Sequence, residues 1–251
     1  VGIVMKRMGA NTKATIDGRV VKATTVSGQE VTVFTPGSQD LWMVSDLLRA
    51  GDQAFTDMRV QLTPLADRGW QLNVDSERLR GGLRWPGPAT EEPVRLHLRL
   101  ADLQFTPPEP GSERITDSWH DRLTRMPQTE ITVEDLRLND KTYGHWTLHM
   151  RGEGDLLHLD GVRGQTGSLQ FNGRLGWRSD GSNSSQTQLD GTLEGQDLAD
   201  LSGWLHREMP ITSESARVNL QTTWNGAPWD FAWEQVDGQV DFRVDKGVIL
   251  E

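Results

Sequence analysis

Residues 167–177 read GSLQFNGRLGW. Leu169, Phe171, Leu175 and Trp177 share one parity, and Gln170, Asn172 and Arg174 share the other. Successive side chains of a strand point to opposite faces, so this stretch predicts a β-strand with one apolar and one wet face. Gly173 stands where the alternation calls for a further apolar side chain. What covers the apolar face decides whether it is core or binding surface.

The same alternation recurs along the chain. VRLHLRL sets Val94, Leu96, Leu98 and Leu100 against Arg95, His97 and Arg99, and WTLHM sets Trp146, Leu148 and Met150 against Thr147 and His149. ARVNLQTTW aligns Val218, Leu220 and Trp224, and WDFAW aligns Trp229, Phe231 and Trp233. QVDFRVDKGVIL aligns Val240, Phe242 and Val244 ahead of Gly247, a position suited to a bulge. Turn-forming residues separate these runs at 67–69, 152–155, 180–183 and 225–228. Short turns between one-sided strands predict an antiparallel meander.

Helical signals are sparse. Leu41, Val44 and Leu48 have helical spacing between a Ser38 or Asp40 cap and Gly51, and 197–206 offers a second short helix. Residues 106–127, rich in Pro and charge, read as a linker or excursion between a β segment over 1–105 and another over 128–251. A loose internal repeat supports two such segments, one copy closing in Leu-x-Trp at Trp85 and the other at Trp177. Two copies are too few to define a solenoid. The start is too short and broken for a signal peptide, and the end falls in or beside an apolar strand, so the chain reads as part of something longer.

Acids outnumber bases 36 to 26 among 251 residues, which argues against a nucleic-acid binder. With no cysteine, disulfides and thiolate metal sites are excluded. No run reaches the roughly eighteen apolar residues of a membrane helix. His145 and His149 have ligand spacing for a helix, but in a strand they stand about 13 Å apart, too far to share a metal. Ser118, His120 and Asp121 contain the residue types of a catalytic triad without its geometry. Gly161, Gly164 and Gly167 lack the Lys-Ser/Thr of a phosphate loop and suit turns or bulges. Glu134 and Asp135 fit a solvated face, and the Asn183-Ser184-Ser185 glycosylation pattern is meaningless if the host is bacterial. The chain is expected to be neither an enzyme nor a cofactor protein.

Residues 128–251 carry the strands ITVEDLRL, GHWTLHMRG and LQFNGRLGW, followed by QLDGTLEGQDLADLSGWL and TTWNGAPWDFAWEQVDGQVDFRVDKGVILE. This half resembles the C-terminal region of AsmA-like proteins of the YhdP type. Trp224, Gly226, Pro228, Phe231, Val236, Gly238 and Gly247 carry the most specific part of the resemblance. Residues 57–105 match more loosely, and the first fifty are not placed. The resemblance implies an elongated, twisted antiparallel sheet curled into an open apolar groove. It also implies a periplasmic bridge, anchored in the inner membrane of a Gram-negative bacterium, that moves phospholipid toward the outer membrane. Contact with either membrane would require segments outside this stretch.

On that reading phospholipid acyl chains cover the apolar face, each buried CH₂ contributing about 0.8 kcal/mol. The lipid-facing set expected to share one concave face is Leu96, Leu98, Leu100, Leu148, Met150, Leu169, Phe171, Leu175, Val218, Leu220, Phe231 and Phe242. A bulge would reverse the faces beyond it. Two other covers compete: a second sheet, as in a compact β-sandwich or barrel, and a carbohydrate stacked on some of the ten tryptophans. Many of those tryptophans share parity with Leu, Val and Phe, which favours core or groove lining over sugar platforms.

Overall fold

The computed structural model describes residues 14–17, 20–24, 30–34, 41–50, 53–104, 116–179, 185–195, 211–212, 215–231, 235–245 and 248–249. The chain divides into two compact units, the first comprising residues 1–105 and 137–140 and the second 106–136 and 141–251.

The first unit is an antiparallel meander of β1 (Ala14–Asp17), β2 (Val20–Thr24), β3 (Glu30–Phe34), β4 (Leu41–Ala50), β5 (Gln53–Pro64), β6 (Trp70–Asp75), β7 (Leu79–Trp85) and β8 (Val94–Leu103). Pairing carries the apolar parity from strand to strand. Met43 faces Val60, Val60 faces Val74, and Val74 faces Gly81, whose neighbour on β8 is Leu98. The next row is Leu62, Leu72, Leu83 and Leu96, and the row after that ends on Trp70 and Trp85. Phe55, Met58 and Val60 are the buried centre of this unit.

In the second unit α1 (Thr116–Thr124) precedes β9 (Thr129–Leu138), β10 (Lys141–Glu153), β11 (Leu156–Thr166), β12 (Leu169–Ser179) and β13 (Ser185–Gly195). After β14 (Ile211–Thr212) come β15 (Ser215–Asn225), a 3-10 turn at Pro228–Asp230, β16 (Val236–Asp245) and β17 (Val248–Ile249). β9 to β13, β15 and β16 lie side by side in chain order, and among the described residues β14 pairs only with β17. The long strands of the unit therefore lie in one sheet. The other sheet, two strands of two residues each, is too small to be the second layer of a sandwich. Among the described residues β1 and β16 each have a single neighbour, so the sheet is not closed into a barrel.

Several expectations are corrected. Residues 41–50 form β4 rather than a helix. Their helical spacing gives way to nine residues paired in the ladder with β5, a tertiary gain that local periodicity does not register. The 106–127 stretch, expected as a linker or excursion, holds α1, which packs against β10 and β11. Trp229–Phe231 of WDFAW do not run as a strand, because Pro228 opens the 3-10 turn and Phe231 follows it outside any strand, and the rest of that segment lies outside the described residues. The expected helix at 197–206, the turn at 180–183 and the bend at Gly247 lie outside the described residues.

Candidate functional site

The register of the second unit assembles the apolar parity into rows. One row is Phe171, Leu193, Val218 and Phe242, and the next is Gly173, Gly191, Leu220 and Val240. Leu175 faces Leu189, and Trp177 faces Thr187, which faces Trp224. On the other side of β12, Leu157 pairs with Trp177 and Leu159 with Leu175, while Met150 of β10 pairs with Leu159. Beyond Leu159 the register of β11 shifts by one residue, at Gly161 with φ +56°. This glycine bulge exchanges parity, so Val162 and Gly164 continue the face that Leu157 and Leu159 began. Asp-Gly followed by a change of parity was its sequence signal.

The missing side chain at Gly173 now has a reason. A Cβ on Gly173 would stand 2.8 Å from Phe171 Cζ, and one on Gly191 would stand 2.7 Å from the same ring. The Phe171 ring therefore lies down across two facing glycines. Trp146 lies over Gly164 in the same way, and Leu169 over Gly195. Large side chains folded onto glycines cover one another without a second layer. Leu169, Phe171, Leu193, Ala216, Val218 and Val162 form the buried cluster, with Trp146, Leu148 and Leu220 packed on it.

Cover varies across the face. Toward β16 it opens: Val218 is 5% exposed, whereas its partner Phe242 is 58% exposed. Val240 and Val244 are exposed beside it. At the row of Trp177 the face is closed. Trp177 is fully buried, His120 of α1 sits edge-on to its ring at 4.8 Å, and Trp229 sits edge-on at 5.1 Å. His120 Nε2 donates to the Trp177 carbonyl at 3.2 Å. Phe231 is held edge-on to Trp224 at 5.3 Å, and Trp224 Nε1 donates to the Ala227 carbonyl.

The expected set thus divides three ways. Leu148, Met150, Leu169, Phe171, Leu175, Val218, Leu220 and Phe242 share one face of the second unit. Phe231 reaches that neighbourhood from the 3-10 turn rather than from a strand. Leu96 and Leu98 lie on the apolar face of the first unit, but Leu100 does not. A one-residue bulge at Arg99 pairs Leu100 with Arg80 on the polar face and gives the apolar position to Ala101, opposite Leu79. Leu157, Val162, Leu189 and Leu193 join the face without having been singled out for it, and Trp224 keeps the alignment with Val218 and Leu220 that its parity predicts. For Leu189 and Leu193 the signal was present in QLDGTLEG, where Gly191 interrupts an otherwise regular alternation.

The opposite face is charged. In the second unit, Arg174 pairs with Asp190 at 3.1 Å and Arg217 with Glu194 at 2.8 Å, each directly across a strand boundary. Arg151 bonds Asp160 and Glu153, and these bonds, Asp160 first, raise its pKa. Such exposed pairs add little stability but keep this face wet. His145 and His149 belong to the same polar side, paired across β11 with Gln165 and Asp160. His120, buried against Trp177, is a packing residue, and Asp121 turns instead to Arg125 at 3.4 Å.

An open antiparallel meander with one self-covering apolar face and one charged face defines a groove-type β-sheet protein. The chain belongs to the YhdP protein family, whose model matches residues 14–251. No curated protein and no solved structure matches it.

Proposed function

We propose that the chain is a segment of a periplasmic bridge that carries phospholipid between inner and outer membrane, with acyl chains on the apolar face. The observation that carries this reading is the graded cover of the second unit. A face buried at Phe171 and Val218 continues onto Phe242, Val240 and Val244, which are open to an apolar ligand. Acyl chains there would replace water over contiguous apolar surface, at about 25 cal/mol per Å² removed from solvent. Headgroups would stay in water, and a chain sliding along the rows would never leave apolar surroundings. In this reading the protein is not an enzyme and uses no cofactor. Its anchor in the inner membrane would lie in other segments of the full-length protein.

The test is photocrosslinking in cells from a probe at Phe242, at Leu220 or at Trp177. Phospholipid adducts are expected at Phe242 and Leu220 and not at the closed Trp177. Absence of lipid at Phe242, with adducts only to protein, would overturn the proposal. Leu220→Asp should cut the Phe242 adduct, because a carboxylate interrupts the apolar row at modest cost to a half-open site.

A further inference from the structure

The polar face of the first unit contains a hollow of about 650 Å³. Gly82 forms its floor, set by the register between Asn73 on β6 and His97 on β8. A Cβ on Gly82 would come within 2.8 Å of Asn73 Oδ1 and 3.0 Å of Gln71 Nε2. The two amides therefore lean over the glycine, joined by a bond of 3.2 Å from Gln71 Nε2 to Asn73 Oδ1. Around them stand the guanidinium groups of Arg59, Arg84, Arg95 and Arg99.

Asp75 is the single acid in this lining among the described residues. Four cations against one anion reverse the sign of a chain whose net charge is −10. In the second unit Arg151, Arg174 and Arg217 of the polar face meet carboxylates at 3.1 Å or less and Arg178 meets Asp155 at 3.3 Å, while Arg163 makes no ion pair among the described residues. Here the ion pairs are longer: Arg84 stands 3.6 Å from Glu92 and 3.9 Å from Asp67, and Arg95 stands 3.9 Å from Glu92. Arg59 and Arg99 make no ion pair among the described residues. Arg84 Nε is a buried donor with no hydrogen-bond partner.

We propose that this hollow binds a hydroxyl-rich anion bearing a phosphate, the chemistry of a sugar phosphate. Guanidinium forks match phosphate oxygens, and side-chain amides both donate to and accept from hydroxyls. The volume lies in the range of roughly 300–1,000 Å³ usual for small-molecule sites. A lipid with its chains on the apolar face cannot fill the hollow, because the two faces are opposite sides of the same strands. The inference is independent of the lipid reading and survives its failure.

The experiment is titration of the intact chain at low ionic strength with a hexose 6-phosphate, with the same hexose unphosphorylated, and with phosphatidylglycerol vesicles. Calorimetry reads affinity, and the amide NMR signals of Gly82 and the Asn73 side chain report position. The hexose phosphate should bind saturably and move those signals. Loss of the phosphate, or the double substitution Arg59→Gln/Arg99→Gln, should weaken binding about tenfold or more. Both arginines are exposed, so circular dichroism should show the variant folded. No saturable binding, equal binding of the bare hexose, unchanged affinity of the double variant, or capture by vesicles alone would each overturn the proposal.

Discussion

Trp85 and Trp177 close equivalent strands of the internal repeat, yet one is 39% exposed and the other fully buried. In the first unit, Trp85 pairs with Trp70, itself exposed, and the end of the sheet is fastened by a polar clasp. Asp67 accepts hydrogen bonds from the Gly69 and Gly87 amides and faces Arg84. In the second unit the corresponding end carries α1 and the 3-10 turn, which bring His120 and Trp229 onto Trp177. The same strand pattern thus ends in an open aromatic row in one unit and a closed aromatic stack in the other. Alternation specifies the side on which a tryptophan lies. It does not specify what lies over it.

The largest effect that tests this contrast is Trp177→Ala. Removing a fully buried indole from between His120 and Trp229 should cost about 3–5 kcal/mol in urea unfolding. A loss near that of an exposed tryptophan would mean that α1 and the turn do not form the cover.

The self-covering face is tested next. Gly191→Ala sets a methyl against the Phe171 ring and should cost about 1–3 kcal/mol. Phe171→Leu in the same chain should recover part of that loss, giving a favourable coupling in a double-mutant cycle. Additive losses would mean that the ring does not depend on the glycine.

At the open positions the effects shrink. Phe242→Ala should cost about 2 kcal/mol or less in the same unfolding assay, because more than half of it is already in water, and Trp85→Ala, with more of its ring covered, should fall between Phe242→Ala and Trp177→Ala. A cost for Phe242→Ala matching that of Trp177→Ala would place it in an ordinary core and remove the open margin from the lipid reading.

The smallest effect is a dependence on pH. The Gly69 amide, then that of Gly87, with Arg84 nearby, holds the Asp67 carboxyl below the ordinary 3.8. A carboxyl whose pKa is depressed on folding contributes stability that is present above 3.8 and lost as pH falls through the folded value. Asp67→Asn should therefore be slightly less stable than the parent at neutral pH, with the gap closing in acid. A gap that stays constant across the acid range would assign the effect to lost hydrogen-bond geometry rather than charge.

Much was legible in the sequence because a strand has a period of two and one residue reports its neighbours' faces. Leu169, Phe171, Leu175 and Trp177 stay together in the fold, and Val218 and Leu220 meet them through Leu193 and Gly191. The antiparallel order followed from short turns, which allow neighbouring strands little choice of partner. The YhdP match also reaches residues 14–56, where the pattern was unplaced or, over 41–50, pointed to a helix. That error has a physical origin: Leu41, Val44 and Leu48 can line one side of a helix, but the ladder with β5 pairs nine residues at once.

What only the tertiary structure decided is where parity changes and what lies above it. Arg99 bulges out of β8 and sends Leu100 to the polar face, although nothing in VRLHLRL marks the break. Gly161 makes the compensating kind of bulge in β11 and keeps Val162 on the apolar face. The burial of Trp177 depends on α1, more than fifty residues earlier in the chain, and on Trp229, as many residues later. Period-two patterning is local, carried by the chirality and pleat of a single strand. Register, bulges and cover are agreements between strands and segments distant in the chain, set by how backbones pair and rings pack once they meet.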